Sequence, residues 1–199
     1  ENGAIYRRGE NILETKDILI PGTHNIENYM AAIALTEGLV TDEAICQVAR
    51  NFGGVEHRIE LVRVKDGVRF YNDSIASSPS RTIAGLRSFP EQVILIAGGY
   101  DKHIPYDVLG PEICKHVKKL FLGGATGPKI RAAVEQAPEY TPGHPEIVDC
   151  ADFTQAVLAA AKAAKPGDVV LMSPASAAFD QFKNFMVRGQ YFKKLIKEL

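Results

Sequence analysis

The run Val93-Ile94-Leu95-Ile96-Ala97 and its continuation Gly98-Gly99-Tyr100-Asp101-Lys102-His103 constrain the fold more than any other stretch of the chain. An apolar segment without polar alternation reads as a strand buried on both faces, as in a parallel sheet. Two glycines, a carboxylate and a lysine follow at once. Glycine lets a backbone approach a ligand closely, and the lysine brings a positive charge to the same place. Open α/β sheets bind their ligands in the crevice at the carboxyl ends of the strands.

The rest of the chain supplies partners for such a strand. Residues 59–64 and 68–71 are strand-like and are joined by the hairpin signal Lys65-Asp66-Gly67. A helix is predicted with Ser78 at its N-cap and Pro79 at its first position. A helix from about Pro111, a strand at 120–122, a helix at 128–136 and a strand at 146–148 follow. Asp152 caps an alanine-rich helix to Ala164, residues 168–172 form another apolar strand, and a long amphipathic helix begins near Asp180. Alternating strands and helices with short connections predict an α/β fold, a Rossmann-like, mostly parallel sheet with helices on both faces. Ahead of it, residues 1–20 read as short strands, residues 26–39 as a helix, and residues 42–52 as a second helix capped by Thr41. Those two helices have no strand partner after Ile20, so residues 1–54 read as the tail of a second α/β domain and residues 55–199 as a complete one.

Composition narrows the function. The net charge of −1 gives no basic excess for holding nucleic acid through its phosphates. No segment nears the ~18 consecutive apolar residues of a membrane span, and no signal peptide is recognisable. Cys46, Cys114 and Cys150 are widely spaced and form no metal-type pair, so reduced thiols in a cytoplasmic protein are expected.

The polar signals fall at strand ends. Asn72-Asp73-Ser74, Gly98 to His103, Gly123-Gly124-Ala125-Thr126 and Ser173-Pro174-Ala175-Ser176 each follow a predicted strand. Together they predict one ligand-binding edge on which Asp73, Lys102 and Ser173 converge. No phosphate loop of the G-x-x-x-x-G-K-[ST] type and no G-x-G-x-x-G fingerprint occurs. Asn25 and Asn28 lie three apart at a helix start, where they serve either as caps or as a pair of amides for a nucleotide. Arg58, at the junction of the two blocks, suits either a phosphate clamp or a salt bridge. The basic residues of the last helix, Arg188 among them, are assigned mainly to its solvated face.

In this order, Pro21-Gly22-Thr23-His24-Asn25-x-x-Asn28, Val55-Glu56-His57-Arg58, Asn72-Asp73-Ser74, Gly98-Gly99-x-Asp101-Lys102 and Ser173-Pro174-Ala175-Ser176 resemble the Mur ligases. The likeness is nearest to members that add D-glutamate to UDP-N-acetylmuramoyl-L-alanine in peptidoglycan synthesis. It implies that residues 1–54 end the central ATPase domain and residues 55–199 form the amino-acid-binding domain. The family's phosphate loop and its magnesium ligands would lie upstream. The implied reaction uses ATP and Mg2+: the substrate carboxylate is phosphorylated, and the amine of D-glutamate attacks the acyl phosphate. The resemblance gives Asn25, Asn28, Arg58 and Asp73 to the nucleotide, and Lys102, Ser77 and the backbone of Phe185 to D-glutamate. It also implies a cytoplasmic monomer, with this fragment inactive alone.

Two positions depart from the pattern. Ile75 stands where some members carry a lysine. Ala178 stands where some carry a serine that bonds the D-glutamate side chain, so Ser176, backbone N–H groups or the 77–81 loop with Arg81 would have to compensate. The competing readings are a stand-alone nucleotide- or amino-acid-binding module, and another Mur or folylpolyglutamate-type ligase.

Overall fold

A computed structural model describes residues 3–199, which fall into two compact units divided between Gly54 and Val55. The first unit opens with an antiparallel hairpin, β1 (Ala4–Arg7) and β2 (Glu10–Glu14). Both turn residues, Arg8 and Gly9, have positive φ, as a two-residue hairpin turn requires. Helices α1 (Thr23–Leu35) and α2 (Asp42–Asn51) follow. Thr41 caps α2 by accepting the Ala44 N–H, and Asp42 and Glu43 occupy the positive end of the helix. The helices do have a strand partner, which comes before Ile20 rather than after it. Ile5, Ile12 and Leu13 of the hairpin pack with Tyr29, Ile33, Ile45 and Ala49 of the helices.

The second unit contains β3 (Glu60–Lys65), β4 (Val68–Asn72), α3 (Pro79–Leu86), β5 (Val93–Ala97), α4 (Leu109–His116) and β6 (Val117–Leu122). It continues with α5 (Gly127–Glu135), β7 (Glu146–Asp149), α6 (Phe153–Ala163), β8 (Val169–Met172) and α7 (Phe185–Glu198). The sheet order is β3-β4-β8-β5-β6-β7, parallel throughout except where β3 meets β4. The α/β, mostly parallel reading is therefore correct. The β3–β4 turn, Asp66-Gly67, has positive φ at both residues, again the form that suits the strand twist.

All five residues of β5 are buried, and they alternate between two cores. Val93, Leu95 and Ala97 pack with Leu86, Leu109, Ile113, Ile130 and Val134 from α3, α4 and α5. Ile94 and Ile96 pack with Val157, Ala160, Phe192 and Ile196 from α6 and α7. Helices thus cover both faces, and the five parallel strands present their carboxyl ends along one edge.

Helix α1 spans Thr23–Leu35 rather than 26–39, and three further points differ from the sequence expectation. β6 starts at Val117 instead of residue 120. Its two lysines interrupt the apolar run but stay half-buried: Lys118 reaches Asp168, and Lys119 bonds Glu146 at 2.7 Å. Ser78 flanks α3 but its side chain caps nothing in the helix, bonding Ser80 instead. α7 begins at Phe185, capped by Asn184, which accepts the Val187 N–H at 3.0 Å. The residues from 180 to that cap form a loop whose turns close on the Ala178 carbonyl.

Candidate functional site

The edge is built where β4, β8 and β5 end side by side. Asp73 follows β4, Ser173 follows β8, and Lys102 lies five residues beyond β5. The Asp73 side chain is nearly inaccessible at 3% exposure. Its Oδ2 accepts the Ser173 hydroxyl at 2.7 Å, and its Oδ1 accepts the Ile59 N–H at 3.3 Å. Ser173 Oγ lies 3.0 Å from Thr82 Oγ1 on α3. Gly85 of α3 leaves room for the carboxylate; a methyl there would sit 2.9 Å from Asp73 Oδ2. Burial raises the Asp73 pKa to about 7, although the two hydrogen bonds and the nearby Arg58 and Arg81 oppose the rise. Within this chain each carboxylate oxygen thus has one partner inside the protein.

Lys102 is the opposite case. It is exposed and has no hydrogen-bond or ionic partner among the described residues. Its neighbour Asp101 is committed, bonding Lys129 at 2.6 Å and the His103 N–H at 2.8 Å, and Lys129 holds its carboxyl below the usual range. The lysine's charge is therefore left for something outside this unit's own side chains.

The glycines of the edge have an architectural use. A methyl on Gly98 would overlap the Gly123 carbonyl oxygen, and one on Gly124 would overlap an Asp180 carboxylate oxygen. The β5, β6 and β8 loops approach backbone to backbone, so the space the missing side chains leave is filled by protein rather than by a ligand.

Arg188 is the main residue the sequence reading misplaced. It is 1% exposed, not solvated. Its Nε donates to Ser74 Oγ at 3.0 Å, Nη1 to the Ala177 carbonyl at 3.1 Å, and Nη2 to the carbonyls of Ser74 at 2.9 Å and Ser176 at 3.1 Å. Ser74 Oγ in turn donates to the Phe185 carbonyl at 2.7 Å. One guanidinium thus ties the β4 end, the β8 loop and the start of α7 together. Burial lowers its pKa to about 10, where it remains charged at neutral pH. The signal was present in the sequence: Arg188, Phe192 and Ile196 repeat every four residues along the buried stripe of α7.

Ser176 does not take over from a serine at position 178. It is fully buried and bonded to Thr126 Oγ1 at 2.7 Å and Tyr106 Oη at 2.9 Å. Ala178 is buried as well. Ser77, half-buried, follows the β4 end with its hydroxyl unpaired among the described residues. In the first unit, Asn25 donates to the Pro21 carbonyl at 2.6 Å and accepts from Asn28 at 3.2 Å. The amides do share a face, Asn25 buried and Asn28 exposed, and the helix is capped at Gly22 rather than by either asparagine.

Glu56, His57 and Glu60 form the one metal-like cluster among the described residues. It does not suit magnesium, which requires a shell of oxygens. Lys193 Nζ already lies 3.0 Å from Glu56 and 2.5 Å from Glu60. His57 Nδ1 accepts from Asn72 at 2.9 Å, and a methyl on Gly189 would overlap its ring.

A doubly covered α/β sheet with a polar carboxyl edge has the architecture in which open α/β folds bind small ligands. A family model described as Mur ligase, glutamate ligase domain, matches residues 57–176. The chain belongs to the Mur ligase family. It is 52% identical over 98% of its length to a UDP-N-acetylmuramoylalanine–D-glutamate ligase of Acetivibrio thermocellus, and 47% identical over its whole length to the Clostridium beijerinckii protein of the same name. In both cases it spans 43% of the relative. Among solved structures, UDP-N-acetylmuramate–alanine ligase from Thermotoga maritima matches 90% of this chain and 39% of its own (TM-score 0.63, 16% identity). Folylpolyglutamate synthase from the same organism matches 96% of this chain and 42% of its own (TM-score 0.57, 16% identity). At those identities the likeness is one of fold. No described helix is long and apolar enough to cross a membrane.

Proposed function

We propose that this chain is the carboxy-terminal part of an ATP-dependent ligase that joins D-glutamate to UDP-N-acetylmuramoyl-L-alanine. The observation that carries the reading is Lys102: an exposed, unpartnered ammonium on an edge where Asp73, Ser173, Ser176 and Arg188 are already engaged within the protein. The names of the relatives, matched over nearly the whole chain, supply the amino acid.

In this reading residues 1–54 close the ATPase domain and residues 55–199 present the amino acid. Lys102 holds a carboxylate of D-glutamate, Ser77 lines the same edge, and the backbone at Phe185, fixed by Ser74, helps to hold the other carboxylate. Asn25 and Asn28 serve the nucleotide, with the outer face of Asn28 available for contact. Arg58 neutralises phosphate charge. Asp73 supports that role indirectly by gripping the N–H of Ile59, the residue next to Arg58. With the amine positioned and the phosphate charge offset, attack on an acyl phosphate is accelerated by orientation and electrostatics. ATP and Mg2+ would bind chiefly through the rest of the protein. The reading carries with it a cytoplasmic monomer working on small molecules, without nucleic acid or membrane.

The test is product formation by the full-length protein. Equal amounts of amide, ADP and phosphate are expected with D-glutamate, and at least a hundredfold less with L-glutamate, meso-diaminopimelate or a folate acceptor. Preference for another amino acid or acceptor would favour a different ligase of the family. Tight nucleotide or amino-acid binding without any amide would favour a binding module.

A further inference from the structure

Arg58 and Arg81 are the two exposed arginines that make no ion pair with a carboxylate among the described residues. They flank the same backbone. The Ile75 N–H donates to the carbonyl of His57, next to Arg58, at 3.2 Å. On the other side the Ile75 carbonyl accepts Arg81 Nη1 at 3.3 Å. Residue 75 therefore sits between two guanidinium-bearing positions, and its own side chain is apolar.

Both arginines act on one carboxylate, Asp73, and depress its pKa against the effect of burial. Neither touches it, because the Asp73 oxygens are taken by Ser173 and the Ile59 N–H. Both side chains are exposed, and neither guanidinium has a carboxylate in contact among the described residues. Two forked donors with a combined charge of about +2 match a phosphate dianion better than a single carboxylate. Ser77, at the same turn, adds a hydroxyl with no partner of its own.

We propose that Arg81 is a second phosphate-binding residue, acting with Arg58 across Ile75, and that it supplies from α3 the cation that the side chain at position 75 does not. The site takes a phosphoryl group or a free phosphate. This deepens the ligase reading, on which its place in a reaction rests, but binding is measurable without it.

The probe is inorganic phosphate, titrated at pH 8 and constant ionic strength into the 199-residue chain while the arginine Nε–H signals are followed by NMR. Saturable shifts of both Arg58 and Arg81 with one common Kd are expected. Arg81→Ala, at an exposed position, should weaken that Kd at least fivefold with an unchanged melting temperature. Arg81→Ala combined with Ile75→Lys should return to within about twofold of the parent chain.

An unchanged Kd in Arg81→Ala overturns the proposal, as does a response that does not saturate. Failure of Ile75→Lys to rescue overturns the substitution of one cation for the other. D-glutamate titrated in parallel should leave both signals nearly unmoved; a response equal to that of phosphate would reassign the pair to a carboxylate and overturn the phosphate assignment. Absence of amide formation by the full-length protein would end the ligase reading while leaving the phosphate Kd as measured, so the two claims fail separately.

Discussion

At Asp73 the fold sets burial against charge, and burial prevails. A carboxyl raised from 3.8 to about 7 holds its proton more tightly in the folded protein than in the unfolded one. Its contribution to stability is fully present below pH 3.8 and is lost as pH rises towards 7. The span corresponds to at most about 4 kcal/mol. Asp73→Asn keeps the shape and stays neutral, accepting from Ile59 and donating to Ser173. The gap in urea-unfolding free energy between Asp73→Asn and the parent chain should therefore shift in favour of the asparagine variant by a few kcal/mol from pH 5 to pH 8. A pH-independent gap would mean that Asp73 is not strained by its surroundings. The sequence placed Asp73, Ser173 and Lys102 on one edge because each follows an apolar strand, and that pattern is local. It could not separate a buried carboxylate from a free lysine. Exposure depends on Gly85, Thr82 and Ile59, residues brought in from other elements.

At the scale of elements, strand identity was readable from periodicity, whereas the loops were not. β5 announces itself by five buried residues in a row. The stretch between β8 and α7 reads as helix from residue 180, yet it turns on the Ala178 carbonyl and waits for the Asn184 cap. What organises it is Arg188, a charge in a helical stripe that otherwise signals core. Arg188→Met would relieve the cost of the buried charge but leave the carbonyls of Ser74, Ser176 and Ala177 dry. Each unsatisfied buried acceptor costs roughly 1–3 kcal/mol, so the lost bonds outweigh the relief. A net loss of roughly 3 kcal/mol is expected by urea unfolding, and Arg188→Lys should recover less than half of it, because an ammonium cannot reproduce the planar fork. A loss below 1 kcal/mol in Arg188→Met would show that the three segments hold together without it.

For the whole molecule, the change of character between Gly54 and Val55 was legible because hairpin and strand signals resume there, and the two compact units divide at that point. What lay beyond the sequence was the hairpin's role as the floor under α1 and α2, which rests on contacts between Ile5, Leu13, Tyr29 and Ile45. The chain spans under half the length of the relatives it matches, so the proposed ligase chemistry has to be read in the full-length protein. There the central claim reduces to one side chain: the edge lysine, partnerless in its own unit, holds the incoming D-glutamate. The direct measurement is the KM for D-glutamate in Lys102→Ala beside the unaltered enzyme. A rise of tenfold or more, with the KM for ATP within twofold, is predicted; an unchanged D-glutamate KM would contradict the account.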